Sequence, residues 1–135
     1  MTASIDRMNP HTLPDAGKIG YSQISIASPG RLAFVSGQVA WHPDGAATPT
    51  SLADQTDIVA RNLQRALDAL QASTGDIVQM RICVTDLDNK SQGVAMTPIF
   101  RFLAGAKPGL TGVGVAALAG PDLEIEVEMI VQLAA

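Results

Sequence analysis

Apolar and polar residues alternate or cluster in five stretches at strand spacing and recur in two at helical spacing. Residues 21–27 alternate weakly, with Tyr21, Gln23 and Ser25 set against Ile24 and Ile26. Ser28-Pro29-Gly30 signals a turn. Residues 32–41 form a more apolar strand interrupted by Ser36-Gly37-Gln38, and a glycine there signals a bulge or a close backbone approach. Residues 77–85 place Val78, Met80, Ile82 and Val84 on one face and Gln79, Arg81, Cys83 and Thr85 on the other. A fourth strand over 111–118 and a fifth over 123–133 flank the tight turn Gly120-Pro121-Asp122.

Between these strands, Ser51-Leu52-Ala53-Asp54 resembles a capping box. The helix it opens reads to about residue 73, with Val59, Leu63, Ala66, Leu67 and Leu70 as its apolar stripe and Gly75 as its stop. A second helix reads over 92–104, with Pro98 as an early turn or kink. The order is ββαβαββ, an α+β class in which both helices cover one face of a mixed sheet. The other face carries Glu124, Glu126 and Glu128 on the last strand, opposite Ile125, Val127 and Met129. A face this polar suits a subunit interface enclosing a wet cleft, so the pattern predicts a homo-oligomer.

Composition narrows this picture. The 135 residues make one domain, 1–135, with an irregular lead-in over 1–18 that contains Pro10 and Pro14. An apolar fraction of 47% with 16% charged residues belongs to a globular chain. Aromatics are only 4%, so aliphatic side chains must build the core. A net charge of −4, with Lys and Arg scattered singly, argues against a nucleic-acid partner. Cys83 is the sole cysteine, which excludes an intrachain disulfide and fits a reducing, cytoplasmic setting. No apolar run has a signal peptide's character or the ~20-residue length of a membrane span.

Several strings with chemical associations lead nowhere. Carboxylates on alternate residues of one strand lie at ~7 Å steps, too far apart for all three to share one ion. His11 and His42 are isolated, so no metal is expected. Gly112-Val113-Gly114 lacks the downstream glycine and helix of a dinucleotide loop. Asp86-Leu87-Asp88-Asn89 has Ser91 where a calcium loop needs glycine.

A set of local strings does carry a resemblance. They are Gly20-Tyr21-Ser22-Gln23, Phe34-Val35-Ser36-Gly37-Gln38-Val39, Asp54-Gln55-Thr56 with Asn62-Leu63, and Asp76-Ile77-Val78 leading to Val84-Thr85-Asp86-Leu87. Lys107-Pro108, Val115-Ala116-Ala117-Leu118 and Glu126-Val127-Glu128 complete the set. In order and spacing the chain resembles the Rid/YjgF family, older label endoribonuclease L-PSP, over about residues 19–131. The resemblance implies a chorismate-mutase-like fold assembled as a homotrimer with ligand clefts between subunits. Deaminating members hydrolyse imines and enamines such as 2-aminoacrylate to a keto acid and ammonia without metal or organic cofactor.

Carried over position by position, the resemblance puts the family's cleft tyrosine at Tyr21 and its serine-glycine pair at Ser36 and Gly37. The glutamate that positions the hydrolytic water falls on Glu126. Thr111 and Gly112 take the next cleft positions, and Val94 and Thr97 stand where the second helix usually offers a polar and an aromatic group. Leu110 stands where the family has the arginine that clamps a substrate carboxylate, and leucine supplies neither charge nor donor. The resemblance therefore implies a small-molecule partner other than the usual 2-iminoacids.

Three residues keep two readings each. Glu126 is a general base or an interface carboxylate. Tyr21 is a phenol donor to substrate or a packing residue at the sheet edge. Arg81 supplies the missing positive charge from another direction or pairs with a terminal-strand carboxylate. A non-catalytic ligand-binding trimer stands as the alternative to an enzyme, and the ribonuclease of the older label lacks a basic groove.

Overall fold

A computed structural model describes residues 5–134. Its elements in chain order are β1 (Asp6–Met8), β2 (Ile24–Ile26), β3 (Leu32–Gln38), α1 (Leu52–Leu70), β4 (Ile77–Thr85), α2 (Asn89–Leu103), β5 (Gly109–Val115) and β6 (Ile125–Gln132), with a short 3-10 turn at Thr74–Asp76 before β4. The main sheet runs β3-β6-β4-β5, parallel between β4 and β5 and antiparallel elsewhere. The two helices pack side by side on one of its faces, as an α+β chain with this apolar pattern requires.

The strand read over 21–27 shortens to β2 and keeps only an isolated bridge, Ser22 to Gly109, to the main sheet. It pairs instead with β1, inside the lead-in expected to be irregular. The reason is Arg7. Its guanidinium donates to Ser25 Oγ at 2.6 Å, to the Ile77 carbonyl at 2.6 Å and more weakly to those of Val78 and Gly75. One side chain thus staples the ribbon to the start of β4, a link between positions too distant in sequence for any local pattern to show.

Both helix starts follow capping chemistry. Ser51 Oγ accepts from the Asp54 N–H at 3.1 Å. Asp88 and Ser91 form a reciprocal capping box that starts α2 at Asn89, three residues before the expected start. α1 stops at Leu70 because Gln71 turns left-handed, with φ of 53°, so Gly75 is not its stop. Pro98 lies buried well inside α2 rather than in its first turn.

Ile77, Met80, Ile82 and Val84 of β4 and Ile125, Val127, Met129 and Val131 of β6 form the sheet side of the core. Val59, Leu63 and Leu67 of α1 and Ala95, Ile99 and Leu103 of α2 close it from above. Val78, expected with the core face, is displaced by an irregularity between Ile77 and Gln79 that shifts the register and turns Ile77 inward. The opposite sheet face has no covering element among the described residues. Phe34 stands 73% exposed there, beside the partly exposed Ile130 and the exposed pair Arg81 and Glu128. No described helix is long and apolar enough to cross a membrane.

Candidate functional site

Two sets of candidate residues come together, and the thickness of the sheet separates them. The first set lines a groove between α2 and the edge strand β5, with a volume of about 550 Å³. Leu110 and Gly112 are in register with Met80 and Ile82, so they face the core side and line the groove. Thr111 pairs with Arg81 and points to the open face, so the three consecutive positions expected at one cleft divide between two faces.

Tyr21 lines this groove, held there by its neighbours. Gly20 adopts φ of 122°, and a β-carbon on it would lie 2.9 Å from the Phe100 ring. Only glycine lets the chain pass this close to Phe100. On the other side, the Ser22 N–H donates to the Pro108 carbonyl at 3.0 Å, and its hydroxyl to the Lys107 carbonyl at 2.6 Å. The tyrosine is therefore tied to the beginning of β5.

The helix wall of the groove escaped the sequence reading. Asn89, Gly93, Met96 and Phe100 recur at steps of three and four along α2 and share the wall with Gln92. Val94 and Thr97, expected at the cleft, are not among the lining residues. The usable signal was the unforced glycine at position 93 together with the Asp88–Ser91 cap, which sets the true phase of the helix. Among the described residues no Lys, Arg, His, Asp or Glu lines this groove. Its polar groups are the Tyr21 phenol, the carboxamides of Asn89 and Gln92, and the backbone.

The second set lies on the open face. Glu126 crosses directly over Gly37, where a β-carbon would come within 2.5 Å of the glutamate Cδ. Ser36 is exposed beside it, at the point where the β3–β6 register shifts. Cys83 is the cross-strand neighbour of Glu126. Burial pushes the Cys83 thiol up, and the carboxylates of Glu126 and Glu128 push it further against the opposing pull of Arg81. A thiol so placed stays protonated at neutral pH and is a poor nucleophile. Arg81 donates to Glu128 at 3.3 Å, so its charge is engaged on this face and does not reach the groove behind Leu110.

Gln55 sets the position of the Glu126 strand. Completely buried, it donates from Nε2 to the carbonyls of Pro49 at 2.9 Å and Asp122 at 2.8 Å. Its Oε1 accepts from the Glu124 N–H at 2.9 Å. Two backbone groups at the entry to β6 and one in the loop before α1 thus depend on one side chain. Among the described residues no cluster of three or more His, Cys, Asp and Glu side chains is grouped to hold a metal.

The family model described as endoribonuclease L-PSP matches residues 14–133. The RutC family protein YjgH of Escherichia coli K12 is 36% identical over 98 residues, which span 73% of this chain and 74% of that protein. Among solved structures, a Yersinia pestis protein of unknown function from the conserved Rid family, YyfB, matches with a TM-score of 0.89 and 31% identity. That match covers 96% of this chain and 98% of its own. Escherichia coli TdcF, solved with bound serine, matches with a TM-score of 0.67 and 28% identity over 84% of this chain and 88% of its own.

Proposed function

The chain belongs to the endoribonuclease L-PSP, or Rid/YjgF, family, and from that premise we propose that it is a homotrimer that hydrolyses a small imine or enamine in a cleft between subunits. The observation that carries this reading is a complementary incompleteness. The groove of Tyr21, Leu110 and Gly112 has a binding shape but no acid or base, and the Glu126–Gly37 set has a carboxylate but no pocket. The two lie on opposite faces of one sheet, so a complete site needs the groove of one subunit against the carboxylate of the next.

In that cleft Glu126 orients a water molecule and takes its proton as the oxygen adds to the C=N carbon. The Tyr21 phenol donates to the imine nitrogen, and the backbone at Gly37 and Gly112 lines the pocket. That proton passes to nitrogen to give the carbinolamine, the proton of its new hydroxyl follows, the C–N bond breaks, and ammonia leaves behind a carbonyl product. Ser36 and Thr111 flank this cleft from the open face. TdcF was solved with serine, which carries a carboxylate. Leu110 offers a carboxylate nothing, so the usual 2-iminoacids are poor substrates here.

The test generates imines in situ, some from neutral amines by an amine oxidase and some from amino acids by an amino-acid oxidase, and follows ammonia release. The wild type should accelerate hydrolysis of at least one neutral imine. Glu126→Gln should lower that rate by about two orders of magnitude without changing the sedimentation of the assembly. Full activity in Glu126→Gln removes the glutamate from the mechanism. The charge-free groove favours one second reading, a ligand-binding trimer without chemistry, which predicts ligand binding with no acceleration of any imine. A ribonuclease is disfavoured by the net charge of −4 and by a groove without cations.

A further inference from the structure

Among the described glycines with an ordinary φ, two differ from the rest because a side chain there would meet open space. At Gly37, Gly109, Gly114 and Gly120 an added β-carbon meets a neighbour within 3.4 Å, and at Gly17 and Gly75 it makes ordinary contact. At Gly93 and Gly112 it meets nothing within 4 Å, and neither has the positive φ that explains Gly45 and Gly105. Both line the groove, Gly93 on α2 and Gly112 on β5. Glycine inside a helix is unfavourable relative to alanine, and glycine inside a strand forgoes packing. Since neither sterics nor backbone conformation demands these two, what they leave is open volume between the walls.

The chemistry of the lining says what fills that volume. Ile82, Leu87, Met96, Phe100 and Leu110 surround it, and none of the lining residues is charged. A carboxylate or ammonium entering such a site loses hydration and meets no partner of opposite charge. A groove of about 550 Å³ lies within the range that holds ligands much larger than a three-carbon imine.

We propose that the groove takes a neutral ligand carrying a bulky apolar group, a ring or branched carbon skeleton, with Gly93 and Gly112 as the residues that set its size. The placement of this ligand rests on the cleft described under Proposed function, whereas its class rests on the groove alone. As a substrate it is a ketimine without a carboxylate. In the balanced reaction one ketimine and one water give one ketone and one ammonia. The water oxygen replaces nitrogen on carbon, both water protons end on the departing nitrogen, and no atom changes oxidation state. The apolar group lies between α2 and β5, and the C=N unit points towards the Tyr21 phenol.

The experiment is calorimetric titration of the full-length protein with stable product analogues. Benzylacetone and 2-oxo-4-phenylbutanoate share one skeleton and differ by a methyl in place of a carboxylate, while acetone lacks the ring. The wild type should bind benzylacetone at least about tenfold more tightly than either of the others. Gly112→Val and Gly93→Leu should each weaken benzylacetone by about tenfold or more with an unchanged fold by circular dichroism. Leu110→Arg should reverse the preference in favour of the keto acid. Equal or tighter binding of the keto acid by the wild type overturns the proposal, as does failure to bind benzylacetone or unaltered affinity in both glycine variants. Ammonia release from the matching ketimine is read separately. A wild type that binds benzylacetone selectively but hydrolyses no ketimine sinks the catalytic reading and leaves this one standing.

Discussion

Glu126 and Gly37 share one space: a β-carbon on the glycine would lie 2.5 Å from the glutamate Cδ and 2.8 Å from its Oε2. Because the obstructing atoms, Cγ, Cδ and Oε2, belong to a flexible side chain that can change rotamer, Gly37→Ala should cost less than about 1 kcal/mol in urea unfolding while it swings the carboxylate away. Hydrolysis of a responsive imine should fall by about tenfold or more, the cost of misplacing a catalytic group. In the Gly37→Ala, Glu126→Ala double variant the stability cost should vanish. A cost that persists after Glu126 is truncated would show that the glycine answers to the backbone instead.

Gln55 holds three backbone groups with no exposure to solvent. Gln55→Leu leaves the Glu124 N–H and two carbonyls unsatisfied, and should destabilise by about 2–4 kcal/mol in urea unfolding. Gln55→Glu should be less stable at neutral pH than in mild acid, because ionisation would bury a charge against the Pro49 and Asp122 carbonyls. A loss below about 1 kcal/mol for the leucine variant would mean that water readily replaces the amide.

Asp88 carries a pH dependence whose sign is set by its cap. The Ser91 N–H, 2.8 Å from Oδ1, holds this carboxyl below its ordinary value, with the Ser91 hydroxyl and Lys90 assisting. A depressed folded value means the contribution is present above the ordinary carboxylate range and lost as pH falls through the folded value. Melting temperature followed from neutral pH to about pH 2 should therefore show a shallower acid decline in Asp88→Asn than in the wild type. Asp88→Ala should melt lower across the neutral range, since alanine cannot accept from the first turn.

The Arg81–Glu128 pair is 3.3 Å apart, and both side chains are about half exposed. Arg81→Ala should change stability by less than about 1 kcal/mol, and added salt should shrink the difference. A larger, salt-insensitive loss would place the pair in a dry environment, which an assembled open face supplies.

The elements with the strongest periodicity were legible in the sequence. The stripe of Val59, Leu63 and Leu67 marks α1, and alternation marks β4 and β6, because both patterns follow from local backbone geometry. The ribbon of β1 and β2 was not legible, since it depends on Arg7 reaching carbonyls on a distant strand. α2 begins three residues before its apolar pattern, at the Asp88–Ser91 cap, and the groove wall falls on Gly93 and Met96 rather than on Val94 and Thr97, the positions the resemblance implied. Leu110, Thr111 and Gly112 follow one another in sequence, and only the pairing of β4 with β5 turns Thr111 away from the groove.

By itself the sequence determined the α+β class, the aliphatic core and the shared face of Glu126 and Glu128, because side-chain alternation is a property of an extended chain wherever it lies. Only the tertiary structure decided that Glu126 rests against Gly37 while Leu110 and Gly112 open a groove on the far side of the same sheet. That separation follows from strand order and register, which long-range pairing sets and no local pattern records.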